Sequence, residues 1–220
     1  LIDSTFAPAY RELAEIYHRA GKDKDAFAQY KKYLLLNNDC GARSRSAGFA
    51  LESKFYKECI ADAKEAQKCN PNDVYVYRYL SYAQYETADY PSGMENINLM
   101  FSKATEDKKF TIIPLDYEYR AKLLAKTGKD SLAIIDFKKA LELQPEKVEL
   151  NGDIASAYMK MKKYPYAIAA FKVKMEKGKF GANDYLGLTR AYYQSKDFIN
   201  ADSAAVQIIK AQPDLQWGYL

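Results

Sequence analysis

Residues able to do chemistry are few in this sequence, and they are poorly paired. The single histidine, His18, has no second His or Cys at ligand spacing, so no metal site is predicted. The turns "KTGKDS" and "EKGKFGAND" lack the four-residue spacer and the Gly-Lys-Ser/Thr ending with which a loop cradles phosphate. There is no nucleophile elbow and no zinc-protease helix. Acidic pairs at helical spacing, such as Glu12 and Glu15, fit a solvated face better than an acid/base couple, which needs desolvation. Met94, Met100, Met159, Met161 and Met175 are scattered and read as core filler. The expectation is a chain that is not an enzyme and has no cofactor.

What the sequence does concentrate is phenol. Of its residues, 20 are Tyr and one is Trp, and "VYVYRYLSYAQY" (Val74 to Tyr85) holds five tyrosines. Its first half alternates like a strand, but the alternation stops at Tyr79. At about 100° per residue, Tyr75, Tyr79, Tyr82 and Tyr85 share an arc of about 120°, with Val76, Tyr77, Leu80 and Ala83 opposite. The stretch is therefore predicted to be a helix, with Tyr77 on its packing face.

Composition narrows the partners. With 33 basic and 29 acidic residues, a net charge of +4 is too thinly spread to favour nucleic acid or an acidic membrane surface. No apolar run approaches the ~18 residues of a membrane span. The opening "LIDSTFAPAY" is neither a signal peptide nor an initiator context, and it reads as a segment of a longer protein.

The elements that carry these residues repeat. A small residue recurs at Ala26, Cys59, Gly93, Ala133, Ala167 and Ala201, in steps of 33, 34, 40, 34 and 34. Leu13, Ser46, Leu80, Arg120, Ile154 and Leu188 keep the same steps, as do Tyr30, Ala63, Ile97, Phe137, Phe171 and Ala205. Pro71, Pro145 and Pro213 mark repeat ends. Gly21-Lys22-Asp23 and Gly128-Lys129-Asp130 read as turns where Gly ends one helix and Asp begins the next.

"AYRELAEIYHRAGKDKDAFAQY", "AKTGKDSLAIIDFKKALELQP" and "IASAYMKMKKYPYAIAAFK" carry a resemblance to the tetratricopeptide repeat family, a helix–turn–helix unit of 34 residues. The resemblance covers nearly the whole chain. It implies an all-α, right-handed superhelical solenoid of about six repeats, at 7–39, 40–73, 74–107, 114–147, 148–181 and 182–215. Leu1 to Thr5 resemble the tail of a preceding repeat, and "QWGYL" the start of another. Repeat two departs from the family pattern with "RSRSAGFA". The segment "SKATEDKKFTIIPLD" is six residues longer than the family's turn, and is either a lid or docking strand or an ordinary surface insertion.

The resemblance also implies a concave groove for partners, lined by the side bearing Tyr75, Tyr79 and Tyr82. Tyr119 and Tyr193 occupy equivalent slots, and Arg11, Arg45, Arg78, Lys122 and Arg190 are inward by the same register. Two readings stand: an aromatic and cationic platform for an extended peptide carrying carboxylates or aromatics, or tyrosines that merely fill helix contacts beside solvated arginines. The carboxylate clamp of tetratricopeptide co-chaperones is not expected, since Arg11, Glu15, Arg45, Tyr75 and Tyr79 hold its slots and Glu15 would repel a carboxylate.

The cysteines complete the inventory. Cys59 takes a small buried position and reads as a structural thiol. Cys40 and Cys69 fall at neighbouring ends of two antiparallel helices, so they are either a disulfide or two unrelated thiols. A bond implies an oxidising compartment. The repeats also resemble tetratricopeptide proteins of the Bacteroidetes cell envelope, which implies the periplasm or cell envelope, with the cytoplasm as the alternative. The function expected is a scaffold binding a protein or peptide in its groove. The alternatives are an assembly module of a larger enzyme or transport complex, an envelope glycan-binding scaffold, or self-association through the solenoid ends.

Overall fold

The computed structural model describes residues 6–107, 109–178 and 180–211. Leu1 to Thr5, Pro213 and "QWGYL" lie outside these. The described residues form twelve helices: α1 (Ala7–Arg19), α2 (Asp23–Leu36), α3 (Cys40–Glu52), α4 (Tyr56–Cys69), α5 (Val74–Glu86), α6 (Tyr90–Ala104), α7 (Pro114–Lys126), α8 (Asp130–Leu143), α9 (Leu150–Lys160), α10 (Tyr164–Glu176), α11 (Ala182–Gln194) and α12 (Phe198–Ala211). Helices α1 to α6 pack consecutively, as do α8 to α12, and α3 also touches α5 and α9 touches α11. The chain divides within α7 into two compact units, residues 1–119 and 120–220.

The recurring step is also written in the backbone. The turn inside each pair contains one left-handed residue: Gly21, Lys54, Ala88, Gly128, Lys162 and Lys196. Gly21 and Gly128 adopt φ of +67° and +78° without steric cost, while the other four place a Cβ in the disfavoured region. Asp23 and Asp130 do not cap the following helices. They occupy the first helical turn, where a carboxylate meets the positive end of the helix dipole.

The small recurring residues let paired helices approach, and Ala26, Cys59, Ala133 and Ala167 are fully buried. Where the packing column turns polar, its partner helix supplies an acid. Ser46 donates to Asp62 at 2.6 Å, with Arg43 also 2.6 Å from that carboxylate. Three residues past the next unit's anchor, Asp136 receives Arg120 at 2.6 and 2.7 Å. Repeat two is thereby packed by a satisfied ionic network in place of a large apolar side chain. It is also closed covalently: Cys40 and Cys69 form a disulfide, with Cα atoms 5.6 Å apart. Cys40 opens α3 rather than preceding it. Cys59 is buried, donates to the Tyr79 carbonyl, and has its thiol pushed up to about 12 by burial.

The insertion after α6 is not an ordinary surface loop. Phe110 is only 7% exposed, set edge-on to Tyr75 at 5.0 Å and 4.3 Å from the Arg78 guanidinium. Arg78 donates to the Thr111 carbonyl at 2.7 Å, and the Ile113 amide donates to Asp116 at 2.8 Å. The segment is thus held against α5 by its own backbone.

Candidate functional site

The inward positions of the first helices can be followed in register. In each repeat, one lies two residues after the column Leu13, Ser46, Leu80, Arg120, Ile154, Leu188, and another lies one residue before it. Between neighbouring repeats these two positions face each other. In the first unit every such pair is filled. Glu15 takes two hydrogen bonds from Arg45, at 2.9 and 2.7 Å, which hold its carboxyl below the usual range. Gly48 faces Tyr79 so closely that a Cβ would stand 3.2 Å from the ring. Tyr82 stacks on Tyr119 with centroids 3.9 Å apart and planes 13° from parallel.

The predicted site residues of this unit are therefore engaged with one another. Tyr82 is 3% exposed and donates to Asp116 at 2.7 Å, so burial and that carboxylate push its phenol far up. Arg78 chelates the same carboxylate at 2.8 and 2.7 Å. Burial raises the Tyr79 phenol to about 12. Tyr119 donates to Glu86 at 2.8 Å. Arg45 lies 4.5 Å over Phe49 while bound to Glu15. Arg11 is exposed and bound to the adjacent Glu12 at 3.0 Å. Tyr75, 43% exposed, is the most open of these tyrosines, and Phe110 already leans on it. The centre of the network, Asp116, escaped sequence reasoning. It sits 38 residues from Arg78, and no motif links the two. His18, read as isolated, has Asp23 and Glu52 beside it.

The second unit is different. The same register gives two facing inward pairs here, Lys122 with Asp153 and Ser156 on α9 with Gly187 on α11, and in the latter the Phe171 ring stands where a Gly187 side chain would be. A cavity of about 550 Å³ remains, bordered by Gly152, Asp153, Ser156, Asn183, Gly187 and Arg190. Gly187 is needed for packing, since a Cβ there would come within 2.5 Å of the Phe171 ring. Gly152 leaves room for a half-buried ion pair, Lys174 to Asp184 at 2.6 Å. Of the sequence-predicted residues, Arg190 is exposed at the cavity edge. Tyr193, one turn along α11, is 61% exposed and meets Phe198 edge-on at 5.6 Å. Lys122 is half-buried on α7.

No protein-family model matches the chain, and no curated protein does. Solved structures do. The C-terminal part of a TPR repeat-containing protein from Cytophaga hutchinsonii is 27% identical over 80% of this chain and 67% of its own, with a TM-score of 0.69. YrrB, described as a TPR protein with an unusual peptide-binding site, is 14% identical over 86% of this chain and 95% of its own, at a TM-score of 0.72. PilF of Pseudomonas aeruginosa is 18% identical over 95% and 93%, at 0.67. Among the described residues no helix is long and apolar enough to cross a membrane. The paired helices, the left-handed turn recurring in register and this likeness show that the chain has the fold of a tetratricopeptide repeat solenoid.

Proposed function

We propose that the chain is a non-enzymatic scaffold that holds an extended protein or peptide segment, with the cavity between α9 and α11 as its seat. One observation carries this. Where α9 and α11 meet, the inward pair is the small Ser156 and Gly187, and an open cavity beside it is edged by an exposed Arg190. Ser156 and Asn183 offer hydrogen bonds to a peptide backbone. Arg190 suits a carboxylate, which a guanidinium can grip at two points. Tyr193 adds rigid aromatic area at low entropic cost. The tyrosines of α5 are engaged within the first unit, and no role in holding the partner is assigned to them. We also propose that the scaffold works in an oxidising compartment, the periplasm or cell envelope, a reading supported by the Cys40–Cys69 disulfide.

The test uses a random peptide display library selected on the intact protein. Selected peptides are then titrated against wild type, Ser156→Tyr, which fills the cavity, and Arg190→Glu. Helical content is checked for each. At least a tenfold loss of affinity in both variants, about 1.4 kcal/mol or more, is expected. Unchanged affinity in both, with loss in Tyr75→Ala instead, would move the seat to the first unit.

A further inference from the structure

A histidine and two carboxylates from three helices converge where the first two helix pairs meet. His18 lies in the last turn of α1, Asp23 opens α2 and Glu52 ends α3. Nδ1 of His18 is 3.1 Å from a Glu52 oxygen and 3.6 Å from an Asp23 oxygen, and all three atoms lie within 4.8 Å of one another. Ligands bound to tetrahedral zinc at about 2.0–2.1 Å stand about 3.3 Å apart, the edge of that tetrahedron. The two imidazole–carboxylate separations bracket this value.

Both carboxylates stand at ion-pair distance from His18, but neither closes a hydrogen bond to it. Nδ1 of His18 is shielded from solvent and has no hydrogen-bond partner. Ser53, next to Glu52, is 6% exposed and its hydroxyl is likewise without a partner. Asp23, Glu52 and Ser53 line one open cavity of about 530 Å³, so solvent reaches the two carboxylates. Two carboxylates facing an unpartnered imidazole nitrogen are an arrangement that a central cation would satisfy.

We propose that His18, Asp23 and Glu52 form a binding site for a divalent transition metal of the zinc class, bound through one nitrogen and two oxygens with solvent completing the shell. The donor set selects against calcium and magnesium, which take six or more oxygens. Lys22, Lys24 and Lys54 line the same cavity and oppose any cation held only by long-range charge. Imidazole with carboxylate suits zinc, copper or nickel, bound by direct coordination. A metal there would tie the first helix pair to α3.

The test is a zinc chloride titration of tag-free protein, stripped by chelator with its disulfide kept oxidised, followed by calorimetry. One equivalent per chain is expected. His18→Asn and Glu52→Gln should each weaken binding at least tenfold, and Glu142→Gln, an exposed acid on α8, should leave it unchanged. Calcium and magnesium should give no saturable binding. Cobalt(II) supplies a readout independent of stability: visible d–d bands in wild type that vanish in His18→Asn, with helicity of the stripped variants checked by circular dichroism. Absence of saturable zinc binding to wild type overturns the proposal, and so does equal affinity in folded His18→Asn.

Discussion

Asp116 is buried without any solvent contact, yet it accepts from both Arg78 donor atoms, the Tyr82 hydroxyl and the Ile113 amide. A buried carboxylate persists only when its lone pairs are met in this way, and the removal of one donor exposes the cost of the rest. Tyr82→Phe keeps the ring stacked on Tyr119 and deletes only the hydroxyl. It should lower unfolding free energy by about 1–2 kcal/mol in urea denaturation. Truncation to Ser would lose the stacking as well, so that change tests packing and not partner binding. From sequence, the helical spacing of the tyrosines was legible because periodicity is local. Their partners were not. Glu86 to Tyr119 spans 33 residues and Tyr82 to Asp116 spans 34, one repeat and part of an insertion, and no local pattern encodes which acid a phenol will meet.

At the scale of elements, the left-handed turns carry the most direct prediction. Ala88 sits at φ +61° in the slot that Gly21 and Gly128 occupy freely. A Cβ in this region costs roughly 1–2 kcal/mol, part of which is offset by the greater freedom glycine brings to the unfolded chain. Ala88→Gly should therefore raise stability by up to about 1 kcal/mol, seen as a higher melting temperature with unchanged helicity. Turn positions were legible where the sequence wrote Gly, and elsewhere only through register, because Lys54, Lys162 and Lys196 give no hint of a positive φ. The insertion was legible as extra length alone. Its burial depends on Phe110 finding Arg78 and Tyr75, which lie one repeat earlier. Likewise the sequence marked repeat two as a poor match, and only the structure shows Asp62 compensating at Ser46.

For the whole molecule, the array was readable because three columns kept one set of steps, and the antiparallel helices of a repeat put Cys40 near Cys69 before any coordinates. The open space between α9 and α11 was not readable, since Ser156 and Gly187 look unremarkable until their register is matched. The disulfide closes a separation of 29 residues within the first unit. On the loop-entropy account it should contribute about 3–4 kcal/mol. Reduction should lower the urea midpoint, and a Cys40→Ala/Cys69→Ala variant should match the reduced protein and be insensitive to reductant. The Phe110 segment has a consequence for binding selectivity. A peptide seeking Tyr75 and Arg78 must displace a segment tethered to the same chain, present at an effective concentration in the millimolar range for short connections. Affinity on that face is discounted by this intramolecular competitor before any contact is made, so weak and generic ligands are turned away there.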